Sequence, residues 1–264
     1  MNKLVGIRGH RGAGKESVAY LIANTLQYID NEEALEINVS DPKLFTEAYT
    51  EWVRRLVDDK NKALSELNLK YVYIDSFGDA PKAMVQQLLG CDFKYLWDEY
   101  WKDHAVVDLR TFDIEEVDEL PEGLMDPSLM MSYCPSFLND ERCKDECKMS
   151  LRDFILYFGI NVMQKYFGQD VWVKSTAQND KMNEGFDNGF RIYSDIKAPT
   201  ELTYVINRGG KIIKVERKGY RKNGGMDLLK NDDRFDYLIS IKGDDLMSIK
   251  DTIWDIANKI YWNE

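Results

Sequence analysis

The sequence predicts an α/β protein: a doubly wound, mainly parallel sheet flanked by helices, carrying a helical or irregular insertion. Three observations predict it. Short apolar runs such as Leu4–Ile7 and Tyr71–Ile74 lack the polar alternation of a one-sided sheet, as strands covered on both faces do. Segments of helical periodicity alternate with them along the chain. The first run also breaks into a glycine-rich turn, Gly9-His10-Arg11-Gly12-Ala13-Gly14-Lys15, directly ahead of a helix-forming segment, Val18–Ala23.

The first helix is expected to run to about Asn31. Residues 41–67 read as helical, because Leu44, Ala48, Trp52 and Leu56 recur every four positions. A strand over Tyr71–Ile74 ends at Asp75-Ser76-Phe77, and Pro81 near the start of the next segment suits a helix over Lys82–Leu89. From about 102 to 149 the pattern breaks down. Three of the six prolines lie there (Pro121, Pro127, Pro135), with an acidic run from Asp113 to Glu119. We read 102–148 as an insertion or lid carried on one domain spanning 1–264, and the acidic run as a solvated face. Helical periodicity returns over Leu151–Phe167. Further strands are expected at Phe190–Ser194, ending at Asp195, at Lys211–Arg217 and at Tyr237–Ile241. Helices follow at Glu201–Asn207, closed by Gly209-Gly210, and at Leu246–Tyr261.

Composition narrows the class. A chain of 264 residues with 44% hydrophobic content supports a sizeable core. Its net charge of −11 argues against a protein that binds nucleic-acid phosphates, although a local cationic cluster still suits a small anion. No apolar run reaches the roughly 18 residues of a membrane span, and the N-terminus enters a strand directly, so the chain reads as cytoplasmic with no membrane partner. Of the cysteines, Cys134, Cys143 and Cys147 with His104 can be imagined around zinc. They lack a C-x2-C knuckle, and reduced thiols are the preferred reading.

Gly9-x4-Gly14-Lys15 between strand and helix is the pattern of a phosphate-binding loop. Glycines let main-chain amides turn inward, the helix start adds positive potential, and Lys15 adds a mobile charge. Glu16 follows the lysine and Ser17 supplies the hydroxyl one residue later, which suits a magnesium ligand or a cap of its own helix. Arg11 has two open readings, phosphate contact or solvent. Asp75, Asp195 and Asp79 are the acids able to hold magnesium, each also a candidate turn or cap residue. Phosphoryl transfer needs cations about the moving group; Arg152, Lys82, Lys197, Arg191 and Arg217 lie near element ends, each alone a candidate surface charge.

The order of these motifs resembles the bacteriophage deoxynucleoside monophosphate kinase family, a branch of the P-loop nucleotide-kinase superfamily. The residues that carry the likeness are Gly9–Ala19, Phe77-Gly78-Asp79-Ala80-Pro81-Lys82 and Ser150-Leu151-Arg152-Asp153-Phe154. Asp170-Val171-Trp172-Val173, Ser194-Asp195-Ile196-Lys197-Ala198-Pro199-Thr200-Glu201 and Gly209-Gly210-Lys211 through Arg217 follow in order. Departures are Glu16-Ser17 for the family's Asp-Thr, and Lys197 for an arginine, which loses a bidentate grip. The family's His-x-Ser-Glu segment is absent, with Asn223-Gly224-Gly225-Met226 in its place, and residues 32–68 and 102–148 find no counterpart.

The resemblance implies a P-loop kinase-like fold and ATP-dependent, Mg2+-assisted phosphorylation of a deoxynucleoside monophosphate. Gly9, Arg11, Gly12, Ala13, Gly14, Lys15, Glu16 and Ser17 would bind ATP, with Ser17 and Asp195 on the metal. Lys15, Arg152 and Lys197 would act in catalysis, and Phe77, Asp79, Lys82, Arg152, Trp172 and Asp195 would bind the acceptor. A homodimer, and the host cell cytoplasm for a phage-encoded chain, are consistent with it. Two rivals stay open: a kinase of this fold with another small acceptor, and a nucleotide-binding regulatory protein without turnover.

Overall fold

Six residues rich in apolar side chains, Lys3–Arg8, form strand β1, and helix α1 follows at Lys15–Asp30. The structure, a computed structural model, describes residues 3–30, 72–97, 99–124, 147–182, 189–218, 229, 231–243 and 245–263. The expected helix over 41–67, the strand residue Tyr71, and Cys134 and Cys143 lie outside the described residues. Next in the chain come β2 (Val72–Asp75), α2 (Asp79–Leu89), α3 (Phe93–Trp97), α4 (Glu99–Asp103), β3 (Ala105–Asp108), β4 (Ile114–Glu116) and β5 (Lys148–Ser150). Helix α5 (Leu151–Leu156) runs through a π-helical stretch, Tyr157–Gln164, into α6 (Lys165–Phe167). Then come α7 (Val171–Met182), β6 (Phe190–Ile196), α8 (Pro199–Asn207), β7 (Lys211–Lys218), β8 (Tyr237–Lys242), a 3-10 turn at Met247–Ile249 and α9 (Lys250–Trp262).

The chain divides into two compact units, Met1–Phe77 with Asn179–Glu264, and Gly78–Gln178. The first holds a five-stranded sheet in the order β2-β6-β1-β7-β8, every neighbouring pair parallel. This is a mixed α/β architecture, a parallel sheet flanked by helices, compatible with doubly wound topology. Alternate side chains of the sheet go to opposite faces. Val5, Ile7, Ile192, Ile213, Val215, Ile239 and Ile241 pack on one face with α1 and α9. Ile253, Ile256, Ala257 and Ile260 of α9 follow helical spacing into that layer. On the other face α8 buries Leu202, Tyr204 and Val205, and a Cβ on Gly6 would fall 2.3 Å from Ile196 Cδ1 and 2.9 Å from Ile212 Cδ1.

One irregularity bears directly on the site. Gly6 pairs with Tyr193, but Arg8 pairs with Ile196, so Ser194 and Asp195 together stand opposite the single residue Ile7. This is a bulge in β6, a device that re-aims a side chain and is common beside active sites.

The second unit contains a small antiparallel sheet, order β4-β3-β5. It lies in the stretch whose sequence shows no regular pattern, because strands of three or four residues are too short to display a period. Val85, Leu96, Ala105, Val107, Leu109, Met149, Leu151 and Phe154 form its core. The acidic run there supplies exposed cross-strand and surface pairs, Glu115 with Lys148 and Glu116 with Lys94 at 3.0 Å. Among the described residues, no helix is long and apolar enough to cross a membrane.

Candidate functional site

The carboxyl end of the central strand β1 leads into the loop Gly9–Gly14 and then into α1. In open α/β sheets ligands collect at this end, where successive connections diverge to opposite sides. Here β1 leads by way of α1 to β2 on one side, while β7 and β8 continue on the other. The loop lies against those neighbours. A Cβ on Gly9 would fall 2.4 Å from the Val215 carbonyl oxygen, so no other residue fits that contact. Gly12 and Gly14 have φ of 79° and 91°, the left-handed region in which a side chain is strained. A hydrogen bond from Ala13 N to His10 O (3.1 Å) closes the turn, and Val18 N to Gly14 O (3.0 Å) begins the helix. The main-chain amides at the start of a helix lack intrahelical acceptors, and the dipole of the 16-residue α1 adds positive potential there.

Lys15, the first residue of α1, folds back over this loop. Its ammonium donates to the His10 carbonyl at 3.0 Å and stands 3.3 Å from Asp195 Oδ1. The Asp195 Oδ2 atom pairs with Lys197 Nζ. The aspartate therefore sits between two ammonium groups, in a place the bulge gives it. Its Oδ1 is buried and has no hydrogen bond, only the ion pair with Lys15. The Asp195 carboxylate and the hydroxyl of the buried Ser17, in the first turn of α1, carry oxygens of the hard kind that magnesium takes. No group of three or more His, Cys, Asp or Glu able to hold a metal occurs among the described residues.

Of the three acids named from the sequence, Asp195 is the one placed beside Lys15. Asp75 ends β2 and pairs with Arg191 at 3.5 Å. Asp79 begins α2 in the second unit, where it pairs with Lys82 at 3.1 Å. Phe77, expected among the acceptor-binding residues, is buried with its ring stacked on Tyr193 (centroids 4.5 Å apart) and its neighbour Tyr204 edge-on. In the second unit Arg152 makes a two-point ion pair with Asp103, at 2.5 and 2.9 Å. The buried Trp172 there donates its indole N–H to the Gly159 carbonyl at 3.1 Å, within the π-helical stretch. Arg11 and Gly12 are half-buried, Ala13 and Ser17 are buried, and Glu16 faces solvent. Of the described cysteines, neither Cys91 nor the buried Cys147 is in a disulfide.

Two residues have roles that sequence reasoning missed. Arg217, read from the sequence only as one of several cations, donates to the Gly12 carbonyl (3.3 Å) and the Gly243 carbonyl (2.6 Å), tying the loop to the turn after β8. Its signal was a cation at the end of the strand expected over Lys211–Arg217. Glu201, read as a helix residue, turns back so that its carboxylate accepts from the amides of Lys197 (2.8 Å) and Ala198 (2.9 Å). The signal was Glu at the third position of a helix opened by Pro199.

Comparison of the chain with protein-family profiles and with curated proteins finds no match to either.

Proposed function

We propose that this chain transfers the terminal phosphoryl group of ATP to a deoxynucleoside monophosphate. The observation that carries the reading is the glycine loop at the carboxyl end of the central parallel strand, with the Lys15 ammonium folded over it and 3.3 Å from Asp195. Loop amides and the start of α1 bind the donor phosphates, and Lys15 neutralises charge on the group in flight. Lys197 adds a second ammonium through Asp195. Ser17 and Asp195 would hold Mg2+, which when bound supplies positive charge to the phosphate oxygens. No strong general base is required, because a phosphate oxygen of the acceptor is already a nucleophile at neutral pH. The choice of a deoxynucleoside monophosphate rests on the motif order from Gly9 to Arg217, and the net charge of −11 favours a small nucleotide over a nucleic acid. Arg152, Lys82, Asp79, Trp172 and Phe77 are the acceptor-binding residues that this resemblance names.

A coupled assay of ADP release with ATP, Mg2+ and a panel of deoxynucleoside monophosphates tests the reading. Acceptor-dependent turnover is expected in the wild type, and Lys15→Ala is expected to lower it by about 100-fold or more. Turnover only with another class of acceptor overturns the choice of substrate. Absence of any acceptor-dependent turnover overturns the kinase itself.

A further inference from the structure

The turn between β6 and α8 carries Asp195 and Lys197, and it has an unusual support. The helix begins at Pro199, which has no N–H, behind Ala198, whose side chain has no oxygen with which to cap the first turn. Glu201 provides the anchor instead. A single oxygen of its carboxylate accepts from two consecutive amides, Lys197 N and Ala198 N. These begin one residue beyond the bulge residues Ser194 and Asp195, after Ile196. A continuous set of fixed points therefore runs from the first turn of α8 to the Lys197 main chain. From there it passes through the Lys197–Asp195 ion pair to Lys15.

We infer that Glu201 is a positioning residue of this site, holding the turn so that Asp195 and Lys197 keep their places beside Lys15. The inference rests on the phosphoryl-transfer reading given above. Burial pushes the Glu201 carboxyl up from its ordinary value, the nearby Asp195 charge adds to this, and the two amides oppose it.

The role belongs to the geometry of an acceptor oxygen at that reach, which sets the test. Glu201→Gln keeps an oxygen in place, Glu201→Asp withdraws it by one methylene, and Glu201→Ala removes it. With ATP, Mg2+ and the panel of deoxynucleoside monophosphates, Glu201→Ala and Glu201→Asp are expected to lose about tenfold or more in kcat, the usual range for a group that orients a site residue. Glu201→Gln is expected to recover to within about threefold. ATP affinity measured without Mg2+ is expected to stay within about twofold in all three, because the loop amides come from a separate segment. Wild-type rates in both Glu201→Ala and Glu201→Asp, or a Glu201→Gln as slow as Glu201→Ala, overturn the inference. If Glu201→Ala loses its cooperative unfolding transition, the Asp and Gln variants decide alone. A wild type that binds ATP but turns over no acceptor overturns the kinase reading and this role together, whereas active wild type with unaffected variants overturns the role of Glu201 only.

Discussion

Each unit contains the same three-residue device, an aspartate that clamps the arginine two residues on. In the second unit Asp108 accepts from the main-chain N–H of Arg110 (2.9 Å) and from its guanidinium (3.1 and 2.7 Å). In the first, Asp232 accepts from Arg234 N (2.9 Å) and its guanidinium in the same way. The arginine hydrogen bonds hold both carboxyls down at about 2. Local sequence thus makes two nearly equal clamps, but what depends on them differs. The Asp108 clamp closes a surface turn after β3, with Lys148 nearby as a second cation. The Asp232 clamp faces Arg8, the last residue of β1, which is 3% exposed. Arg8 donates to the carbonyls of Leu229 and Asp232, both at 2.7 Å, and its other terminal nitrogen has only the ion pair with Asp232 at 3.5 Å. An ion pair on the surface contributes little, while a buried cation without its counter-ion is costly.

The largest expected effect comes from removing the feature that distinguishes the two clamps. Arg8→Met deletes two charge-assisted hydrogen bonds in the interior and should cost about 2–3 kcal/mol in urea unfolding. A loss no greater than that of a surface substitution would erase the contrast. Asp232→Asn comes next, at about 2 kcal/mol, because it leaves buried Arg8 with carbonyls alone. Asp108→Asn, the same chemical change in the other unit, should cost under about 1 kcal/mol, with a loss that shrinks further in high salt.

The smallest effect is the shared one, seen in acid. A carboxyl whose pKa is lower in the fold than in the unfolded chain binds its proton less tightly when folded. Its stabilisation is therefore present above the ordinary value of 3.8 and is lost as pH falls through about 2. Unfolding measured between pH 5 and pH 2 should show this loss in the wild type. Each Asn variant should lack its own share of it, and equal shares would sharpen the view that the clamps are locally equivalent.

The same division between local and distant causes explains what could be read from the chain. The glycine loop and its flanking strand and helix are visible because their cause is local: an apolar run, glycines at the turns, and a helix-forming segment in sequence. All five strands of the parallel sheet are marked by apolar runs for the same reason. The second unit is harder to read. β3 and β5 are a pair separated by some forty residues, each three or four residues long, and β4 is a three-residue strand that carries the exposed acids Glu115 and Glu116. Phe77 looks like a pocket residue by motif order, yet it is buried against Tyr193, a partner 116 positions away that no local pattern announces. The π-helical stretch within 151–167 is likewise invisible to a 3.6-residue period.

By itself the chain determined the five strands of the parallel sheet and the helices α1, α2, α8 and α9, where the backbone can take left-handed turns at Gly12 and Gly14, and that Lys15 follows them. Those are properties of a few adjacent residues. Only the tertiary structure decided which of Asp75, Asp79 and Asp195 meets that lysine. It did so by seating β6 beside β1 and inserting one extra residue opposite Ile7, and it also set Arg217 and Glu201 to their tasks. The physical reason is that strand order and bulges are settled by the packing of whole layers, whose energies are summed over residues far apart in sequence.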